Sequence, residues 1–210
     1  MAVRKLCRAE AFTLVVYGTP AEEGKGGKVI LLDEGYLGDM DVALMMHGGP
    51  ATQTDIRSMA KISATVTFHG RSAHAALKPE AGRSALDALL LAFQAVEFLR
   101  EHVPEDTRMH YTISQSPGPV NVVPDTAVGV FSLRSYSRQK LDGVVERFLK
   151  IIQGAALMSD VTFDIKEGDR LANKIPVLKL NDLLMENARL VGAPASALPG
   201  KRPAPATSAT

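Results

Sequence analysis

Two adjacent carboxylates and one histidine are the residues of this chain whose types and spacing could do hydrolytic chemistry. Glu22 and Glu23 lie in Tyr17-Gly-Thr-Pro-Ala-Glu-Glu-Gly-Lys-Gly-Gly-Lys28. The apolar run Leu14-Val15-Val16-Tyr17 before them reads as a buried strand, broken by Gly18 and Pro20. Carboxylates at the C-terminal end of such a strand stand where open α/β sheets place ligands. Neighbouring side chains diverge, so one carboxylate could hold a metal while the other faces its water as a general base. A second apolar run, 41–46, reads as another strand and stops at His47-Gly-Gly-Pro50. Glu23 and His47 are ligand types that zinc accepts. Taken alone, the Glu-Glu pair reads equally as a solvated acidic turn, and His47 as a strand-end histidine with a backbone partner.

The elements that must position these groups follow from periodicity. A short helix fits 29–34. From 59 onward Ile62, Ala64, Val66 and Phe68 alternate with polar residues, the period of a half-buried strand. A loop containing His74 leads to a helix over 84–101, with Leu86, Leu89, Leu90, Phe93 and Val96 as its apolar stripe. Met109, Tyr111 and Ile113 alternate as a second strand, and 126–134 is a third. Ser137 is placed to cap a helix whose Leu141, Val144, Val145, Phe148, Ile151, Ile152 and Ala155 keep helical spacing. Val161, Phe163 and Ile165 make a fourth strand. Strand, helix, strand, strand, helix, strand is a split βαβ sandwich, with both helices on one face of an antiparallel sheet. A last helix fits 176–191, and the Ala/Pro/Ser/Thr-rich tail reads as disordered. The expected fold class is α/β: an incomplete α/β catalytic domain (1–57, with a return helix in 171–192), an inserted ferredoxin-like βαββαβ dimerisation domain (58–170) and a tail (193–210).

Composition narrows the function classes. With 24 basic and 23 acidic residues among 210, the net charge is +1 and the cations do not cluster. Nucleic acid and an anionic membrane surface are therefore not expected partners. The single cysteine, Cys7, cannot form an internal disulfide, and no apolar run reaches the length of a membrane span. Without a signal-peptide pattern at the N-terminus, a cytoplasmic protein is expected.

Four motifs in order resemble the zinc metallopeptidases of the aminoacylase and carboxypeptidase type, peptidase family M-20. They are Gly18-Thr-Pro-Ala-Glu22-Glu23-Gly24, the strand ending Met45-Met46-His47, Phe68-His-Gly-Arg-Ser-Ala-His74-Ala75, and Asn121-Val-Val-Pro124 with Arg134. The likeness is strongest to the amidohydrolase branch holding dipeptidases and aminobenzoyl-glutamate hydrolases. It implies Glu22 as the general base, Glu23 and His47 as zinc ligands, and His74 as the group that reaches a partner subunit's site and stabilises the oxyanion. It implies Asn121 and Arg170 as substrate-carboxylate contacts, while Arg134 stays open between substrate contact and a salt bridge. The family's cofactor is Zn2+, in a two-ion site at full length, and its βαββαβ domain forms a homodimer. The expected substrates carry an amide beside a free carboxylate: dipeptides, N-acyl amino acids or aminobenzoyl-glutamate. No His-x-Asp ligand motif precedes Leu14 and no histidine follows His110. A partial copy with little or no activity is thus expected, and the alternative is a non-catalytic dimerising protein.

Overall fold

The computed structural model describes residues 11–20, 26–54, 56–115 and 117–194. They divide into two compact units, Met1–Met45 and Met46–Thr210. In the first, helix α1 (Gly27–Asp33) is the one regular element among the described residues. The second contains β1 (Ala60–His69), α2 (Ala85–Arg100), β2 (Arg108–Gln115), β3 (Thr126–Ser135), α3 (Arg138–Ser159), β4 (Thr162–Leu171) and α4 (Leu178–Leu190).

The four strands form one antiparallel sheet in the order β2-β3-β1-β4. This is the βαββαβ arrangement that the element order implied. Alternation along β1 puts Ile62, Ala64, Val66 and Phe68 on the face that packs against α2 and α3. Phe131 of β3 sits at the centre of an aromatic cluster. Its ring lies 4.9 Å from that of Phe148 and 5.5 Å from Phe93, and Phe93 stacks on Tyr111 at 4.1 Å. At Gly129 α2 packs tightly on β3: a Cβ there would stand 2.5 Å from Leu89 Cδ1. Both helices start at serines whose side chains accept a backbone N–H, Ser84 from Asp87 and Ser137 from Lys140.

Three expectations are corrected. The inner face of α2 is built from Ala85, Ala88, Leu89, Ala92, Phe93, Val96 and Leu99, while Leu90 is half exposed. Small alanines let the helix lie close to the sheet, so size was a poor guide to the buried side. Residues 14–17 are not a buried strand: Val16 is 86% exposed and none of the four pairs with another strand. Residues 41–46 likewise form no strand, and Met46 is almost fully exposed. Apolar runs supply strand propensity, but a strand becomes one only when a ladder partner and a cover take up its backbone and side chains.

Candidate functional site

Loop geometry at one end of the sheet brings His74 and Asn121 together. Gly70 leaves β1 with its N–H donating to Asp125 O at 2.7 Å, and the backbones of Arg71 and Arg83 bond each other in both directions. A Cβ on Gly70 would stand 2.0 Å from Arg83 O, and one on Gly82 would meet the Val123 side chain, so both glycines permit this close approach. His74 then bridges to Val122, Ala75 N–H donates to Asn121 O at 3.0 Å, and Val123 N–H donates to Ala73 O at 2.9 Å. Two loops far apart in sequence are thereby held as one platform.

The hydrogen bonds also fix the state of the imidazole. His74 Nδ1 accepts from the N–H groups of Ala76 and Leu77, each at 3.3 Å. A nitrogen that accepts carries no proton, so the neutral ring holds its proton on Nε2. The side chain is exposed. It offers an N–H donor, the group that stabilises a developing oxyanion.

His47 has the opposite tautomer. Its Nδ1 lies 2.7 Å from Gly48 O, which can only accept, so Nδ1 carries a proton, and in the neutral ring Nε2 keeps its lone pair. That is the nitrogen a metal would bind, oriented by a backbone carbonyl as metal-ligating histidines usually are. Glu22 and Glu23 lie outside the described residues. Among the described residues no group of three His, Cys, Asp or Glu side chains gathers to hold a metal. His47 alone does not make a zinc site, which takes three protein ligands.

The two arginines are not brought together. Arg134 is exposed and paired in register with Lys61, on the face of the sheet away from the helices. Arg170 pairs in register with buried Ile62, on the helix-covered side. There it meets Asp142 of α3 at 3.4 Å and Glu167 at 3.9 Å, and Asp142 also holds Arg138 at 2.8 Å. From Thr126 to Arg134 the strand runs roughly 25 Å at ~3.3 Å per residue, so the His74–Asn121 platform and Arg134 mark opposite ends of the sheet. Lys61, Arg108 and His110 share the face and end of Arg134. Sequence reasoning passed over them, because cross-strand register leaves no local signature.

At that same end a capping carboxylate ties β3 to the β2 entry. Asp106 accepts from Ser135 Oγ at 2.9 Å and from Tyr136 N–H at 2.7 Å. Burial pushes its pKa up, but the Tyr136 and Ser135 hydrogen bonds and nearby Lys140 outweigh that, and the carboxyl lies below its ordinary value.

A small antiparallel sheet with two helices on one face and a histidine on a stitched loop pair defines a class of module before any relative is considered. Residues 58–158 match the peptidase dimerisation domain family, so the chain carries the dimerisation domain of the M-20 peptidases. It is 35% identical over 184 residues to a p-aminobenzoyl-glutamate hydrolase subunit of Escherichia coli (strain K12), covering 87% of this chain and 38% of that protein. To the Xaa-Arg dipeptidase of Homo sapiens it is 32% identical, covering 85% of this chain and 41% of that one. The chain thus spans about two-fifths of the length of these relatives. Among solved structures, the aminobenzoyl-glutamate utilization protein from Klebsiella pneumoniae superposes with a TM-score of 0.54 at 27% identity, over 68% of this chain and 34% of that one. An amidase of the hydantoinase/carbamoylase family from Burkholderia vietnamiensis shares the fold, with a TM-score of 0.58 at 15% identity over 67% of this chain and 35% of that one. Among the described residues no helix is long and apolar enough to cross a membrane.

Proposed function

We propose that this polypeptide is part of a zinc-dependent amidohydrolase of the aminoacylase and dipeptidase class. It would cleave an amide beside a free carboxylate, in dipeptides, N-acyl amino acids or aminobenzoyl-glutamate. The observation that carries this reading is the pair of fixed tautomers: His47 keeps a lone pair for a metal and His74 keeps a proton for an oxyanion. The reach of the similarity supports it as well. A match over 87% of the chain extends well past the dimerisation domain at 58–158.

In this reading Glu22 is the general base that takes a proton from water and delivers it to the leaving amine. Glu23 and His47 are two of the metal's ligands, and bound zinc would supply a water that ionises near neutral pH. Asn121, next to His74, contacts the substrate's carboxylate; Arg134, at the other end of the sheet, would contact a substrate bound in another subunit's site. Arg170 is the weaker member of the set, since Asp142 and Glu167 already engage it. His74 and Asn121 serve the site of a partner subunit, which makes the active form a homodimer through residues 58–170.

The test is hydrolysis of p-aminobenzoyl-glutamate, N-acetyl amino acids and dipeptides by zinc-loaded protein, with metal content and light scattering measured alongside. Glu22→Gln is expected to abolish turnover with metal content unchanged; an unchanged rate removes the base assignment. His74→Ala is expected to lower kcat about 10²–10³-fold, the usual loss for one oxyanion donor, and loss of metal instead would mean that the histidine is misassigned. The match of 58–158 to a dimerisation domain also favours a second reading, a dimerising protein without catalysis. A dimer that binds no zinc and hydrolyses none of the panel would select it.

A further inference from the structure

Helix α3 ends in a way that its own chemistry does not favour. Asp160, the residue after it, has φ 52° and ψ 48°, and among the described residues it is the one non-glycine with a positive φ. Its N–H closes the helix by donating to Ala156 O and Leu157 O, a task that glycine performs without the clash a Cβ brings. A carboxylate at this point also meets the negative end of the helix dipole. Strain and repulsion therefore fall on one residue, and neither would arise with glycine.

The carboxylate has a partner far away in the chain. Arg83 Nε donates to Asp160 Oδ2 at 2.6 Å, while Nη1 of the same guanidinium donates to Gly82 O at 2.7 Å and Glu80 O at 3.3 Å. The backbones of Arg83 and Arg71 bond each other at 2.8 Å in both directions, and Arg71 Nε donates to Ala81 O at 2.6 Å. One side chain thus ties the closing limb of the 71–83 loop, which carries His74, to the turn between α3 and β4. That turn lies where the loop leaves the sheet, because Thr162 of β4 pairs in register with His69, the last residue of β1. The Arg83 side chain is 38% exposed and that of Asp160 78%. An ion pair so open to water adds little stability, so stability does not account for an aspartate at this helix end.

We propose that Arg83 is a positioning residue for His74, with the Asp160 carboxylate as its anchor. The strut fixes the return limb of the loop, and the limb fixes where the His74 Nε2–H points. The consequence for turnover rests on the hydrolase reading; the hold on the loop does not.

The test is amide hydrogen exchange of the full chain, read at Arg71, Ala75 and Val123, whose N–H groups donate to Arg83 O, Asn121 O and Ala73 O. Asp160→Gly removes the carboxylate together with the strain and the repulsion, so the urea midpoint should hold or rise. Exchange at these amides should nevertheless quicken about two- to fivefold, the scale of one exposed ion pair. Arg83→Lys keeps the charge but not the forked donors, and should loosen the same amides with residue 160 untouched. Asp160→Asn keeps an oxygen acceptor and tolerates the left-handed conformation, so it should restore most of the protection. In zinc-loaded protein that shows turnover, Asp160→Gly is expected to lower kcat about tenfold with KM unchanged, less than the ~10²-fold that a misplacement on the order of 1 Å can cost. Unchanged exchange in Asp160→Gly would overturn the proposal. So would exchange that quickens evenly across residues 60–171 with a lower midpoint, loosening that Arg83→Lys does not share, or a loosened loop with an unchanged kcat. Loosened amides in a protein that hydrolyses nothing would leave the strut in place and remove the hydrolase reading instead.

Discussion

His74 stands on a loop pinned at both ends by backbone bonds to the 119–125 segment, whereas His47 stands in a stretch of irregular, exposed chain and, among the described residues, its imidazole bonds the next residue alone. The same contrast holds for the regions around them. Residues 60–171 bury a continuous core between a sheet and two helices, and residues 11–20 and 41–54 expose most of their apolar side chains. Both regions have apolar runs of similar strength in sequence. What separates them is whether a ladder partner and a covering helix lie within the same module. Residues 60–171 therefore find their packing partners within their own module, and, among the described residues, 11–20 and 41–54 do not.

The comparison breaks first at the core. Phe131→Ala removes the ring that touches Phe93, Tyr111 and Phe148. It should cost about 3–5 kcal/mol, read as a drop in the urea midpoint of the sheet-and-helix module. A loss as small as that of a surface change would mean that the aromatic cluster is not the centre of the fold.

A smaller effect is expected at Asp106. Asp106→Ala leaves the buried Ser135 hydroxyl and the Tyr136 N–H without their acceptor and should cost about 1–3 kcal/mol at neutral pH. Because the folded-state pKa lies below the ordinary value, the stabilisation is present above the unfolded pKa and is lost as pH falls through the folded one. The gap between wild type and variant in denaturation experiments should therefore close on acidification, and a gap independent of pH would contradict the assignment. Smallest of all should be Val16→Ser. Its side chain is 86% exposed, so the change should stay within about 0.5 kcal/mol; a loss on the core scale would show that residues 14–17 are covered after all.

How far each feature could be read from sequence follows the same physics. Alternation in β1 was legible because Ile62, Ala64, Val66 and Phe68 all face one core supplied by nearby elements. The order of strands and helices then left little choice of topology. His74 and Asn121 were legible as motifs, yet the pairing of their loops was not, since it depends on Gly70 and Gly82 admitting a close approach. Arg134 and Arg170 look alike as strand-end arginines. The register of β4 on β1, shifted between Ile62 and Ala64, sends them to opposite faces, and a register shift has no local sequence pattern. Leu90 was misread for a similar reason: bulk suggested burial, while the alanines of α2 take the side that approaches the sheet.

The central claim is that the two histidines are held in opposite tautomers, one for a metal and one for an oxyanion. Long-range 1H–15N NMR of the imidazole rings at a pH where both are neutral tests it most directly. The account predicts a proton on Nε2 of His74, with Nδ1 in the accepting state, and a proton on Nδ1 of His47, with Nε2 free. The same tautomer at both residues, or His74 protonated on Nδ1, would contradict it.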